Sequence, residues 1–282
     1  MTTNVRTPLL EIRNLTVRFG GLTAISELDL AVEEGQIFAL VGPNGAGKTT
    51  VLNCISGFVT PAAGTILFAG TSLLPLARHQ RAGLGIGRTF QLLQLFSSMT
   101  VMENLLVAQH AHWRAGSLSS ILPFRAGKTE GERAREQAMA VLAMLGLESY
   151  AHRRAGMLPL GVQKLVGVAR ALVLRPRLVL LDEPAAGITH QEMGQLVANL
   201  HHIREQTGAT LLLIEHNMQV IQAVADHVCV LDYGRKLAEG TPREVLSHPD
   251  VLEAYLGRDA QQVAQHIHID VQPVKEDSHA EG

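Results

Sequence analysis

Apolar residues alternate at Leu15, Val17 and Phe19, and again at Leu28, Leu30 and Val32. Period two is the signature of strands with one buried face, so the N-terminus is expected to form antiparallel strands. Farther along, alternation gives way to continuous apolar runs at Ile37–Val41, Leu178-Val179-Leu180-Leu181 and Thr210–Ile214. Such runs suit strands of a parallel sheet covered on both faces. Residues 64–69 and 85–90 add two strand candidates. Helical spacing appears at Ala134, Ala138, Val141, Leu142 and Leu145, and at Val162, Leu165, Val166, Ala169, Leu172 and Val173. Pro176 lies just beyond the second set and would end that helix. Thr189-x-x-Glu192 is a capping box that opens a helix with Met193, Leu196, Val197, Leu200 and Ile203 inward. Thr241-Pro242-Arg243-Glu244 is a second, with proline at the first helical position. Residues 110–128, with Gly116, Pro123 and Gly127, read as a loop.

The chain has 282 residues and is 46% hydrophobic, enough for one compact unit with an attached lobe. Its 24 Lys and Arg against 26 Asp and Glu give a net charge of −2, which offers no argument for a nucleic-acid partner. Cys54 and Cys229, the two cysteines, lie on a helix-like and a strand-like stretch and read as small buried residues of a reducing compartment. Apolar runs such as residues 171–181 are broken by Arg175, Pro176 and Arg177, well short of the ~20 residues a membrane span needs. Residues 1–8 are short and polar, unlike a signal peptide.

Chemistry enters at Gly42-Pro43-Asn44-Gly45-Ala46-Gly47-Lys48-Thr49, a G-x-x-x-x-G-K-T phosphate loop between a strand pattern and a helix that begins near Thr50. Glycines let successive backbone N–H groups turn toward phosphate oxygens. The helix N-terminus adds partial positive charge at the same spot. Lys48 would reach the β- and γ-phosphates, and the Thr49 hydroxyl would ligate Mg²⁺. A second buried run ends in Asp182-Glu183. Asp182 is placed to hold the metal through water, and Glu183 to polarise the attacking water. Alone, Leu-Asp-Glu is an acidic strand end before the turn at Pro184; paired with the phosphate loop it completes a hydrolytic site.

At this point the chain resembles the ABC transporter ATPases. Five further stretches match that family in order over residues 8–257. Phe19 stands where an aromatic residue stacks on adenine. Gln91, in Arg88-Thr89-Phe90-Gln91, matches the glutamine that senses γ-phosphate and metal. Leu158-Pro159-Leu160-Gly161-Val162-Gln163 occupies the place of the LSGGQ signature. Ala185-Ala186-Gly187-Ile188 follows the catalytic carboxylate, and His216, in Ile214-Glu215-His216-Asn217, matches the switch histidine. Arg88-Thr89-Phe90-Gln91, Met99-Thr100-Val101-Met102-Glu103-Asn104-Leu105 and the stretches around Asp182-Glu183-Pro184 and Tyr233-Gly234-Arg235 also resemble LivG-type ATPases of branched-chain amino-acid importers.

The resemblance implies an α/β P-loop NTPase of ABC type: a RecA-like core sheet, an antiparallel β region and a helical subdomain inserted at about residues 92–173. Residues 258–282 would be a disordered polar tail, with His266, His268 and His279 as a weaker metal-binding alternative. It implies ATP and Mg²⁺ as cofactors. The nucleotide would touch Phe19, residues 42–50 with Thr50 included, and across a dimer Pro159, Gly161 and Gln163. The metal would touch Thr49, Gln91 and Asp182; Glu183, His216 and Gln91 would serve hydrolysis. It also implies two membrane permease subunits, a second ABC ATPase subunit, indirect work with a solute-binding protein, and a peripheral place on the cytoplasmic face of the cell membrane. A soluble ATPase of the iron–sulfur assembly type is the alternative.

One departure from the family pattern stands out. Pro159 replaces the signature serine and Leu160 its first glycine. Proline has neither the hydroxyl nor an N–H, but it suits a helix's first turn. The expectation is a heterodimer whose partner carries a fuller signature. Other features read plainly: His201-His202 as a solvated helix face, and Trp113 as packing under its own loop. Gly83-Leu84-Gly85-Ile86-Gly87 lacks the last glycine of a dinucleotide fingerprint, since Arg88 takes that place.

Overall fold

Residues 8–89, 95–113 and 130–254 are described by the computed structural model of the chain. Two sheets form. Strands β1 (Leu10–Phe19) and β2 (Leu22–Val32) pair antiparallel around the Gly20-Gly21 turn, and β4 (Ala63–Phe68) and β5 (Thr71–Ser72) extend the sheet in the order β2-β1-β4-β5. The second sheet runs β10 (Arg235–Gly240), β9 (His227–Asp232), β3 (Ile37–Val41), β8 (Thr210–Ile214), β7 (Leu178–Asp182), β6 (Ile86–Arg88). All its neighbours are parallel except β10, which lies antiparallel on β9. The two strand candidates at residues 64–69 and 85–90 thus go to different sheets. The second becomes the edge strand beside β7.

Every residue of β3, β7 and β8 is buried, as their unbroken apolar runs require. Successive side chains enter opposite cores. Ile37, Ala39 and Val41 join one cluster with Val179, Leu181, Leu211 and Leu213. Phe38 and Leu40 join the other with Leu178, Leu180, Leu212 and Ile214. The second core also holds Val51, Leu52 and Ile55 of helix α1 (Lys48–Ser56) and the inner face of the antiparallel sheet. Helix α1 is therefore packed between two sheets, with its N-terminus at the carboxyl end of β3.

Beyond α2 (Arg78–Gly83), helices α3 (Val101–Trp113), α4 (Glu130–Met144) and α5 (Leu160–Leu172) pack on one another. Helix α3 corrects the loop expected from residue 110, because it continues through 110–113. Its polar face finds partners: buried Gln109 donates from Nε2 to the Ala134 carbonyl at 3.2 Å. Fully buried Asn104 fixes the approach to α3 by bonding the Phe96 N–H and the Phe96 and Thr100 carbonyls. Both expected capping boxes form, at Thr189 before α6 (His190–Thr207) and at Thr241 before α8 (Pro242–Leu246). Helix α7 (Met218–Val224) is capped by the Asn217 side chain, which accepts from Gln219 and Val220. His202 is exposed, but His201 is only half-buried, with Nε2 2.9 Å from the Ala223 carbonyl oxygen at the end of α7.

Cys54 in α1 and Cys229 in β9 are fully buried free thiols. Burial pushes their pKa values up to about 11 and about 12. Among the described residues no helix is long and apolar enough to cross a membrane. Gln91 and residues 114–129 and 255–282 lie outside the described residues, so the expectations placed there are not addressed structurally.

Candidate nucleotide site

Of three buried strands, β7 and β8 end in register and β3 runs one residue farther. Leu40 of β3 pairs with Ile214 of β8, which also pairs with Asp182 of β7. Their next residues open three loops at one edge: Gly42, Glu183 and Glu215. Ligands of open α/β sheets bind outside such carboxyl ends.

The loop after β3 needs its glycines. Gly42, Gly45 and Gly47 have φ of 143°, 84° and 99°. Side chains rarely adopt that region. A Cβ at Gly42 would also collide with the Leu231 carbonyl oxygen, and one at Gly47 would lie 2.5 Å from Ile25 Cδ1. The loop closes with Ala46 N–H donating to Pro43 O, while Gly234 N–H donates to Ala46 O from the β9–β10 turn. Lys48 folds over this ring. Its Nζ donates to Gly42 O at 2.6 Å and Pro43 O at 2.9 Å. Burial lowers its pKa, opposed by the nearby carboxylates of Glu183 and Asp182. Thr49 is exposed at the mouth and Thr50 half-buried.

Asp182 is 5% exposed and Glu183 half-buried. Burial raises the Asp182 pKa, while Arg88 pulls it down. Asp182 Oδ1 is buried without a hydrogen-bond partner among the described residues. A buried carboxylate oxygen left in that state fits a hydrated cation, so the site suits the magnesium expected from its motif. Glu183 has φ 49°, in the left-handed region. Its N–H donates to Ile214 O at 3.0 Å. The chain thus turns sharply at the carboxylate, as backbone strain at functional sites often does.

Two polar residues absent from the motif reading hold this turn. Glu215 is fully buried, yet its carboxylate accepts Ala185 N–H at 2.6 Å, His216 N–H at 3.0 Å and Asn217 N–H at 3.2 Å. It ties the loop after Glu183 to the loop that carries exposed His216. Lys164, on α5, donates from Nζ to the carbonyls of Glu183 and Pro184, both at 3.3 Å, and of Ala186. Burial lowers the Lys164 pKa against the raising effect of Glu215 and Glu183. A signal for Glu215 was available: Leu-Leu-Ile-Glu repeats the apolar-run-then-carboxylate pattern of Leu-Leu-Asp-Glu.

Replacing Glu215 by Gln sets an amide NH₂ against a backbone N–H. Loss of one buried acceptor is expected to cost about 1–3 kcal/mol. Glu215→Gln should melt several degrees lower and hydrolyse ATP more slowly, with nucleotide affinity preserved. Unchanged melting and turnover would remove Glu215 from the site's support.

The signature segment lies on α5. Pro159 is exposed and sits at the N-cap, one residue before the helix's first turn, with φ −55° and ψ 150°. Its carbonyl accepts Gln163 N–H at 3.0 Å, so the missing proline N–H costs the helix nothing. Gln163 Nε2 donates to Leu158 O at 2.7 Å and is engaged within the chain. Gly161 faces Glu192 of α6, where a Cβ would lie 2.7 Å from Oε1. Phe19 ends β1 half-exposed, at 50%, unlike Leu15 and Val17, which are fully buried.

The ABC transporter family pattern matches residues 25–186, and the pattern named Branched-chain amino acid ATP-binding cassette transporter matches residues 235–261. The chain is 43% identical over 250 residues to the high-affinity branched-chain amino acid transport ATP-binding protein BraF of Pseudomonas aeruginosa, covering 89% of this chain and 98% of that one. LivG of Escherichia coli is 42% identical over the same coverage. The ADP conformation of MJ1267, an ATP-binding cassette of an ABC transporter, superposes with TM-score 0.76 at 30% identity, covering 89% of this chain and 99% of that one. A nucleotide-free ATP-binding cassette from an ABC transporter matches equally, at TM-score 0.76. With an α/β core, an antiparallel sheet and a match of this length, the chain belongs to the ABC transporter ATP-binding family and is an ATPase of that family.

Proposed function

We propose that the chain is the ATP-hydrolysing subunit of an importer for branched-chain or other amino acids. The carrying observation is the 42–43% identity to BraF and LivG across 89% of the chain. That same likeness does not favour the soluble iron–sulfur alternative.

In this reading the phosphates lie in the ring of residues 42–50, on the N-terminus of α1. Lys48 exchanges its loop carbonyls for β- and γ-phosphate oxygens. Thr49, Asp182 and Gln91 hold Mg²⁺, which when bound neutralises charge on those phosphates. Glu183 orients the attacking water, and His216 contacts the γ-phosphate from the neighbouring loop. Phe19, exposed at the end of β1, stacks on adenine. Two ATPase chains close head to tail, each ATP lying between one chain's phosphate loop and the other's Pro159, Gly161 and Gln163. The partner is a second ABC ATPase with a fuller signature, and the pair docks peripherally on two permease subunits at the cytoplasmic face.

Co-expression with two hydrophobic permease chains, followed by membrane purification and reconstitution, tests the reading. ATP turnover should rise severalfold when a solute-binding protein loaded with leucine, isoleucine or valine is added. Stimulation only by another solute would reassign the cargo. Failure to associate with any permease would end the importer reading.

A further inference from the structure

Asp182 has two chemically different oxygens. Oδ2 lies 3.4 Å from Arg88 Nη2, whereas Oδ1 is buried and accepts no hydrogen bond among the described residues. Both side chains are nearly sealed from solvent, at 8% and 3% exposure. Arg88 ends β6, the strand beside β7, three residues before Gln91.

The guanidinium is held from several sides. Its Nη1 donates to Asn53 Oδ1 and to Ser56 Oγ, each at 2.8 Å. Both acceptors belong to α1, the helix that begins at Lys48 and Thr49. The Phe58 ring centroid lies 5.5 Å from the Arg88 guanidinium carbon. The adjoining backbone is stitched to the strand that carries the carboxylate: Thr89 N–H donates to Leu180 O at 2.9 Å, and Asp182 N–H approaches Thr89 Oγ1 at 3.4 Å. A planar, multiply donating fork in so fixed a seat has little freedom to swing away.

We propose that Arg88 is the positioning residue of the metal-site carboxylate: it occupies Oδ2 and thereby turns Oδ1 toward the metal and the phosphates. Two cations then share Asp182 on opposite oxygens, so arginine and metal do not compete. The same guanidinium anchors β6, β7 and helix α1, fixing the distance between the phosphate ring and the metal carboxylate. The proposal rests on the reading of Asp182 as a metal-site residue. Groups behind a metal ligand typically change metal affinity 10- to 100-fold when removed.

Binding of a fluorescent ATP analogue to the assembled complex, titrated with free Mg²⁺, tests this without recourse to turnover. Arg88→Met should raise the Mg²⁺ half-point about 10- to 100-fold, with analogue affinity in EDTA within about twofold of wild type. Arg88→Lys, which keeps the charge and loses the fork, should recover part of the shift. Asp182→Asn is the reference. A half-point unmoved by Asp182→Asn overturns the metal reading and the proposal with it. A half-point moved by Asp182→Asn but not by Arg88→Met overturns the positioning role alone. A lower half-point in Arg88→Met would mean that arginine competes with metal, which also overturns it. If Arg88→Met does not fold, the Asn53→Ala/Ser56→Ala pair releases Nη1 while keeping the guanidinium. It should raise the half-point severalfold, and an unchanged value counts against the proposal.

Discussion

Glu183→Gln is expected to bind ATP with near-normal affinity and to lose hydrolysis by about 10²- to 10⁴-fold, the range of a positioned general base. The Glu183 backbone is pinned by the bond to Ile214 O and by Lys164 on its carbonyl. Neither of those bonds involves the carboxylate that the substitution changes. Glutamine keeps the shape and the bulk but cannot accept a proton at neutral pH. With hydrolysis arrested, the nucleotide-closed dimer should accumulate. Single-turnover assays on the assembled complex check this, and near-normal turnover would refute the role. Pro159 adds a second expectation. The site completed by this chain's signature lacks a serine hydroxyl, worth roughly ten- to hundredfold at a charged phosphate. Inactivating Glu183 should then cost more activity than inactivating the partner's corresponding carboxylate. Equal losses, or full activity of this chain as a homodimer, would decide against the asymmetry.

Lys48→Ala should act on binding itself. Lys48 is 7% exposed, and its ammonium donates to two carbonyls of its own loop. Those bonds hold the ring in shape, and in the proposed reading phosphate oxygens replace them. Alanine removes both the positive charge and the internal strut, leaving Gly42 and Pro43 carbonyls facing incoming phosphates. A lost bond to a charged group gives about 10- to 100-fold weaker ATP affinity, and repulsion from the bared carbonyls pushes toward the upper end. Lys48→Arg keeps charge but not length or shape, and should recover little. Calorimetric titration with ATP measures the change; unchanged affinity would sink the assignment.

Much of this arrangement is legible in the sequence. Period two at residues 15–19 and 28–32 and the solid apolar runs of β3, β7 and β8 follow from which faces are covered. Two capping boxes marked α6 and α8 because both partners sit within four residues. What stayed hidden has its partners far away in the chain. Arg88 meets Asp182 across 94 residues, and Glu215 meets Ala185 across 30. No local pattern encodes either contact. The reach of α3 through residue 113 was missed for a related reason. The loop expected over 110–128 rests on Gly116, Pro123 and Gly127, all beyond the end of α3, whereas Gln109 bonds the Ala134 carbonyl on another helix. Phe19 continues the alternation of Leu15 and Val17 but leaves the core at the turn, half-exposed where the family resemblance expects an adenine-facing aromatic.

The two thiols carry a practical corollary. Alkylating reagents and maleimide dyes attack thiolate, and with pKa values pushed up to about 11 and about 12, Cys54 and Cys229 present almost none at neutral pH. Both are also shut away between helix and sheet. The native chain is thus already a silent background for labelling chemistry. A single cysteine placed at an exposed position such as Met157 or Tyr233 can be tagged without first stripping the natural ones. Distances between two such tags would then test, in real time, whether the proposed ATPase pair opens and closes.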